Sequence, residues 1–182
     1  TKDVHISNDP QSIENSEAVI MPGDGAFSMA MENLHTQGWI EPLKNFIHNK
    51  GYFLGICLGF QLLFSESEEF GITKGLDIIP GKVVRFESSE LKVPHMGWNI
   101  VDIIHNNAFL ENIPNNYFYF IHSYYPIVTD NSWIIGQAEY GTHFSCIVGK
   151  DNLLATQFHP EKSHNAGLKI IENFISQVKG RS

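Results

Sequence analysis

Gly55-Ile56-Cys57-Leu58-Gly59 frames a cysteine with glycines between an apolar run and a stretch of helical period. That is the pattern of a nucleophile elbow, in which a sharp strand-to-helix turn holds the central residue in a strained backbone conformation and needs small neighbours. The Cys57 sulfur would also sit at a helix N-terminus, whose partial positive charge favours thiolate over thiol. The competing reading is a buried structural cysteine in a Gly-rich turn. Cys146 lies within an apolar strand and has no glycine frame, so it reads as structural.

A nucleophilic cysteine needs a base, and the base needs an orienting group. Gln157-Phe158-His159-Pro160-Glu161-Lys162 can supply both. In an extended segment residues two apart share a side, which lets the Glu161 carboxylate reach the His159 ring and fix its tautomer. Pro22-Gly23-Asp24-Gly25-Ala26 follows a strand and opens a helix, so its backbone N–H groups can turn toward a developing oxyanion, or make only a plain strand-to-helix turn. The second oxyanion donor would be the N–H of Leu58, the residue after the nucleophile. His159, Glu161 and His164 also invite a metal reading, but their spacing fits no zinc pattern, and the expectation is no metal.

The elements that must position these residues form short β-branched and aromatic runs alternating with helical stretches in the first half, the signature of βα units and a parallel sheet. Strands are expected at Val4-His5-Ile6, Ala18-Val19-Ile20-Met21 and Tyr52 to Ile56, with helices from Ala26 to about Gln37, from Trp39 to about Lys50 and from Leu58 to about Ser65. From Gly81 to Leu154 the chain reads mostly as strands: Lys82 to Phe86, Asn99 to Ile103, Tyr117 to His122, Trp133 to Glu139, Ser145 to Gly149 and Leu153 to Gln157. Leu168, Ile171, Phe174, Ile175 and Val178 recur at helical spacing and predict an amphipathic C-terminal helix.

The 182 residues suit one domain with an ordinary core, at 42% hydrophobic and 18% charged residues. A formal charge of −8 with two arginines, Arg85 and Arg181, argues against nucleic acid as a partner. The longest uncharged run, Asn112 to Thr129, holds asparagines, prolines and a histidine, so no membrane span is expected. Thr1-Lys2-Asp3-Val4 does not open a secretory signal, and two distant cysteines suit a reducing cytoplasm.

Together, Gly55-Ile56-Cys57-Leu58-Gly59-Phe60-Gln61, Pro22-Gly23-x-Gly25 and His159-Pro160-Glu161 resemble the class I, or triad-type, glutamine amidotransferases. The segments from Leu76 to Phe86, from Lys92 to Asn99, from His122 to Tyr125 and from Thr156 to Ser163 look like those of the glutaminase subunits of imidazole glycerol phosphate synthase, in histidine biosynthesis. The resemblance implies an α/β, flavodoxin-like, mostly parallel sheet flanked by helices, with an antiparallel strand-rich second half. It implies a Cys57, His159, Glu161 triad without a cofactor, and an oxyanion hole at Gly25 and Leu58. Glutamine would be held by Gln61 and the backbone around Ser123 and Tyr124. A (βα)₈-barrel cyclase subunit would receive the ammonia in a heterodimer, with Trp98, Tyr119 and Lys162 facing it.

Two departures stand out. Asp24 replaces an apolar residue usual in the family, and the chain starts where the family's second strand should, so residues 1–182 read as a single amidotransferase domain without its first strand and helix. That strand is expected in the middle of the sheet. Alternative readings are a paralogous subunit serving surface-polysaccharide sugar synthesis, a stand-alone Cys-His-Glu hydrolase, and a non-catalytic binding subunit.

Overall fold

The computed structural model describes residues 4–87 and 91–180, so residues 1–3 of the N-terminal stretch and Arg181 lie outside the described residues. In chain order the elements are β1 (Ala18–Met21), α1 (Phe27–Thr36), α2 (Ile40–His48), β2 (Tyr52–Ile56), α3 (Leu58–Gln61), β3 (Phe64–Ser67), β4 (Thr73–Lys74), β5 (Ile79–Arg85), β6 (His95–Ile100), β7 (Asp102–Ile103), β8 (Tyr117–His122), β9 (Tyr124–Val128), β10 (Ile134–Glu139), β11 (His143–Lys150), β12 (Leu153–Thr156) and α4 (His164–Lys179).

The largest sheet has the order β1-β2-β12-β11-β10-β7. β2 pairs in parallel with β1 on one side and β12 on the other, while β11, β10 and β7 continue the sheet antiparallel. Met21 and Ala155 both lie opposite Gly55, so the carboxyl ends of these three parallel strands stand side by side. Ligand crevices in α/β sheets open at that edge. The Pro22–Ala26 loop, Cys57 and the Gln157–Lys162 segment leave from it together.

Period-2 alternation splits the core between the two faces of this sheet. Leu54, Ile56 and Leu154 face one side, where Ile170 and Phe174 of α4 cover them. Phe53, Leu153 and Ala155 face the other, against Phe27 and Met31 of α1 and Leu43 of α2. A second sheet, β4-β3-β5-β9, and a β6-β8 ribbon complete the molecule. Among the described residues no helix is long and apolar enough to cross a membrane.

Several elements differ from the periodicity reading. Val4-His5-Ile6 form no strand; Val4 and Ile6 are exposed, and among the described residues no neighbour supplies a ladder. The helix after Cys57 stops at Gln61 rather than near Ser65, because Phe64–Ser67 is drawn into a parallel pairing with β5. The strand expected over Asn99–Ile103 starts at His95 and breaks at Val101, whose N–H bonds the Asn116 carbonyl. In α4 the fully buried positions are Ala166, Gly167, Ile170 and Phe174, while Leu168 is 55% exposed. Small residues decide that rotation: a Cβ on Gly167 would collide with the Pro160 carbonyl, so the helix backbone lies directly on the turn that carries His159.

Candidate active site

Cys57 has φ +54°, a conformation that non-glycine residues rarely adopt, and caps the one-turn helix α3. The flanking glycines are required sterically. A Cβ on Gly55 would lie 2.9 Å from the Gly59 carbonyl oxygen, and one on Gly59 would run into the carbonyl of Met21. The elbow is therefore pressed backbone to backbone against β1. Its anchor is the Cys57 N–H, which donates to the Thr156 carbonyl at 2.8 Å.

The thiol is buried, and desolvation pushes its pKa up to about 11. The Leu58 N–H opposes that shift, Glu161 adds to it, Lys162 counters it and Asp24 adds to it. The thiolate preference expected from a helix N-terminus is thus outweighed. α3 is a single turn with little dipole, whereas burial acts on the whole charge.

His159 is buried, with its Nδ1 2.8 Å from Glu161 Oε1. Since a carboxylate only accepts, Nδ1 carries the proton and Nε2 is left with a free lone pair, able to act as a base. The His159 backbone is clamped: its N–H donates to the Tyr119 carbonyl at 3.0 Å, and its own carbonyl accepts from Ser163 Oγ at 2.6 Å. Ser163 Oγ in turn accepts from the Tyr119 N–H at 2.9 Å. His164 belongs to no metal set; its ring stacks on Trp98 at 4.8 Å, and among the described residues no cluster of His, Cys, Asp and Glu converges as a metal site.

At the expected oxyanion hole, Leu58 N–H donates to the Gly23 carbonyl at 3.3 Å. Gly25 has φ +90°, with open space where a Cβ would be. Asp24 is exposed. Gln61 is buried, and its Nε2 donates to the Tyr124 carbonyl at 2.9 Å and to Gln157 Oε1 at 3.0 Å, leaving Oε1 for a ligand. Ser123 and Tyr124 are half-buried, and the Ser123 carbonyl is held by the Phe86 N–H.

Trp98 and Tyr119 are cross-strand partners on the β6-β8 ribbon, with ring centroids 6.0 Å apart, and Trp98 is 45% exposed. Lys162 is exposed on the turn after β12. Gln157 has no role in the sequence reading. The structure places its Nε2 3.9 Å from Cys57 Sγ, which also lies 3.9 Å from the Ile121 carbonyl. Gln157 lies two residues before His159, ahead of the Pro160–Lys162 turn, and that spacing is the signal present in the sequence.

A family model, glutamine amidotransferase class-I, matches residues 1–178. The imidazole glycerol phosphate synthase subunit HisH of Methanocaldococcus jannaschii is 49% identical over 94% of this chain and 86% of that protein. The HisH of Syntrophotalea carbinolica is 45% identical over 93% of this chain and 85% of its own length. Among solved structures, a glutamine amidotransferase has a TM-score of 0.66 at 16% identity, covering 96% of this chain and 85% of that one. A glutamine amidotransferase from Thermotoga maritima gives a TM-score of 0.61 at 16% identity, covering 92% and 66%; both likenesses concern the fold.

Proposed function

The chain belongs to the class-I glutamine amidotransferases, among the imidazole glycerol phosphate synthase subunits HisH, and from that premise we propose how its residues release ammonia from glutamine. It is a glutaminase of histidine biosynthesis. The observation that carries the assignment of roles is the strained Cys57 at the end of β2, its N–H bonded to the carbonyl of Thr156, three residues before a His159 whose Nδ1 is committed to Glu161 at 2.8 Å.

Cys57 Sγ attacks the side-chain amide carbon of glutamine while His159 Nε2 takes the thiol proton. His159 returns that proton to the amide nitrogen, the C–N bond breaks, ammonia leaves, and a γ-glutamyl thioester remains. A water then gives its proton to His159 and its oxygen to the acyl carbon, the C–S bond breaks, and His159 returns that proton to the departing sulfur, yielding glutamate and the free thiol. Glu161 keeps the imidazole in the Nδ1–H tautomer and stabilises its charged form. Gln61 Oε1 and the backbone around Ser123 and Tyr124 hold the amino-acid end of the substrate. Gly25 and Leu58 stabilise the oxyanion once the Gly23 carbonyl, which now accepts from Leu58 N–H, has turned away from it.

Trp98, Tyr119 and Lys162 are assigned to the face that meets a (βα)₈-barrel cyclase subunit in a cytoplasmic heterodimer. The unit as a whole is one amidotransferase domain. The outer edge of β1, unpaired among the described residues and with Ile20 44% exposed, supports a further parallel strand there. The decisive test is Cys57→Ala. Glutamine-dependent synthesis by the complex should be abolished while synthesis from added ammonium salt survives, and retained glutamine turnover would overturn the assignment.

A further inference from the structure

Two buried histidines, His95 of β6 and His122 of β8, take no part in the chemistry just described, yet their rings meet at 2.9 Å between Nδ1 and Nε2. Every proton in the chain they form follows from the partners. The Tyr124 carbonyl only accepts, so His122 Nδ1, 2.8 Å away, carries the hydrogen. Neutral His122 therefore accepts at Nε2, which makes His95 Nδ1 the donor and His95 Nε2 an acceptor. Asn99 Nδ2 lies 3.3 Å from that Nε2, donates its other hydrogen to the Glu139 carbonyl, and has Oδ1 occupied by the Ile100 N–H. Burial pushes the pKa of His95 down to about 4 and that of His122 down to about 3, which keeps both rings neutral at neutral pH. The His95 ring is stacked between Phe120 and Tyr140, at 4.9 and 4.1 Å.

The chain continues into the site. The second lone pair of the Tyr124 carbonyl takes one hydrogen of Gln61 Nε2, and the other goes to Gln157 Oε1. An amide whose oxygen is committed must present its nitrogen at the opposite end, and Gln157 Nε2 points at Cys57 Sγ. The sulfur has the Ile121 carbonyl on its other side, a partner for the thiol, whereas an N–H donor is a partner for the thiolate.

We infer that Gln157 is a catalytic residue that donates to the Cys57 thiolate, and that His95 and His122 are positioning residues that fix its orientation through Tyr124 and Gln61. The inference rests on Cys57 being the nucleophile. The charged groups facing the sulfur are Glu161 and Lys162 from the turn after β12 and Asp24 from the loop after β1, and the variants below leave all three in place.

The test is the rate of alkylation by iodoacetamide at Cys57 and at Cys146 in the full-length protein, resolved by mass spectrometry between pH 7 and 9. Cys146 is fully buried, so its protection gauges the fold. Gln157→Met keeps length and removes the donor; Cys57 should react about tenfold more slowly at pH 8, the worth of one hydrogen bond to a charged group. His95→Phe keeps the ring stacking and should slow Cys57 about threefold, while His95→Asn, whose Nδ2 can replace the donor, should return within about twofold of the wild type. A variant that merely loosened packing would expose the sulfur and speed its reaction, the opposite sign. Unchanged or faster alkylation of Cys57 in Gln157→Met, with Cys146 still protected, overturns the inference. If Gln157→Met loses that protection, His95→Phe decides, and a wild-type rate there overturns it. Failure of the nucleophile assignment shows separately, as glutamine turnover that survives Cys57→Ala.

Discussion

His159 and Glu161 lie two residues apart, so their contact at 2.8 Å was legible before any fold was known, although it is made across the start of the Pro160–Lys162 turn rather than along the extended backbone expected there. His159→Ala should lower glutamine turnover by about 10²–10⁴, the usual worth of general acid-base help, and Glu161→Gln should cost less because the base survives with a weaker orienting partner. Steady-state glutaminase assays of the complex check both; wild-type rates in both variants would make the pair a surface contact. Cys57 was legible from its glycine frame, but its protonation state was not, because desolvation depends on what packs around the sulfur. The His95–His122 contact was hidden for the same reason, being made across two strands 27 positions apart. These two histidines also give the fold a pH dependence of definite sign. Their folded pKa values, about 4 and about 3, lie below the unfolded value near 6.5, so the unfolded chain binds the extra protons. Their contribution is complete above about pH 6.5 and is lost as pH falls, toward about 4 for His95 and about 3 for His122, at about 1.4 kcal/mol per pH unit for each ring. Urea unfolding at pH 7, 6 and 5 should show that decline, and His95→Phe should show a shallower one.

At the level of elements, hydrophobic period located β1, β2, β8, β12 and the helices that flank the sheet. It misplaced the buried face of α4, because burial there follows close approach rather than side-chain size. Ala166 and Gly167 let the helix axis come down onto the Pro160–Lys162 turn, and Leu168 is turned outward in consequence. Periodicity scores small residues low, so this approach left no mark in it. Gly167→Ala should push α4 off that turn, destabilise the protein by about 1–3 kcal/mol as overpacking does, and lower turnover by displacing His159 and Glu161. Gly59→Ala should act on the same scale by driving α3 away from the Met21 carbonyl. Thermal melts and glutaminase rates of both variants test this, and melting at the wild-type temperature would show that the backbone contacts relax at no cost. The strand reading of Val4-His5-Ile6 failed for a different reason, since a strand exists only when a neighbour completes its ladder, and local composition does not report neighbours.

For the molecule as a whole, the β6-β8 ribbon carries Trp98 and Tyr119 at one end of the base's own support, because the Tyr119 backbone bonds both His159 and Ser163. A partner pressing on this ribbon therefore touches the catalytic turn through one residue. If the proposed barrel partner and its bound substrate stimulate the glutaminase through this ribbon, Trp98→Ala and Lys162→Ala should weaken that stimulation at saturating partner while leaving the fold and ammonia-dependent synthesis unchanged; equal stimulation in all three proteins would remove these residues from the coupling. The hydrogen bond from Leu58 N–H to the Gly23 carbonyl limits how such stimulation is made. While that bond holds, the N–H proposed as an oxyanion donor is spent internally, and under that proposal the fraction of molecules ready to turn over depends on how often it opens. One such bond is worth about 1 kcal/mol net, which corresponds to roughly a fivefold change in that fraction. An activation much beyond fivefold must therefore also draw on contacts that differ between the bonded and opened forms of the Gly23–Gly25 segment.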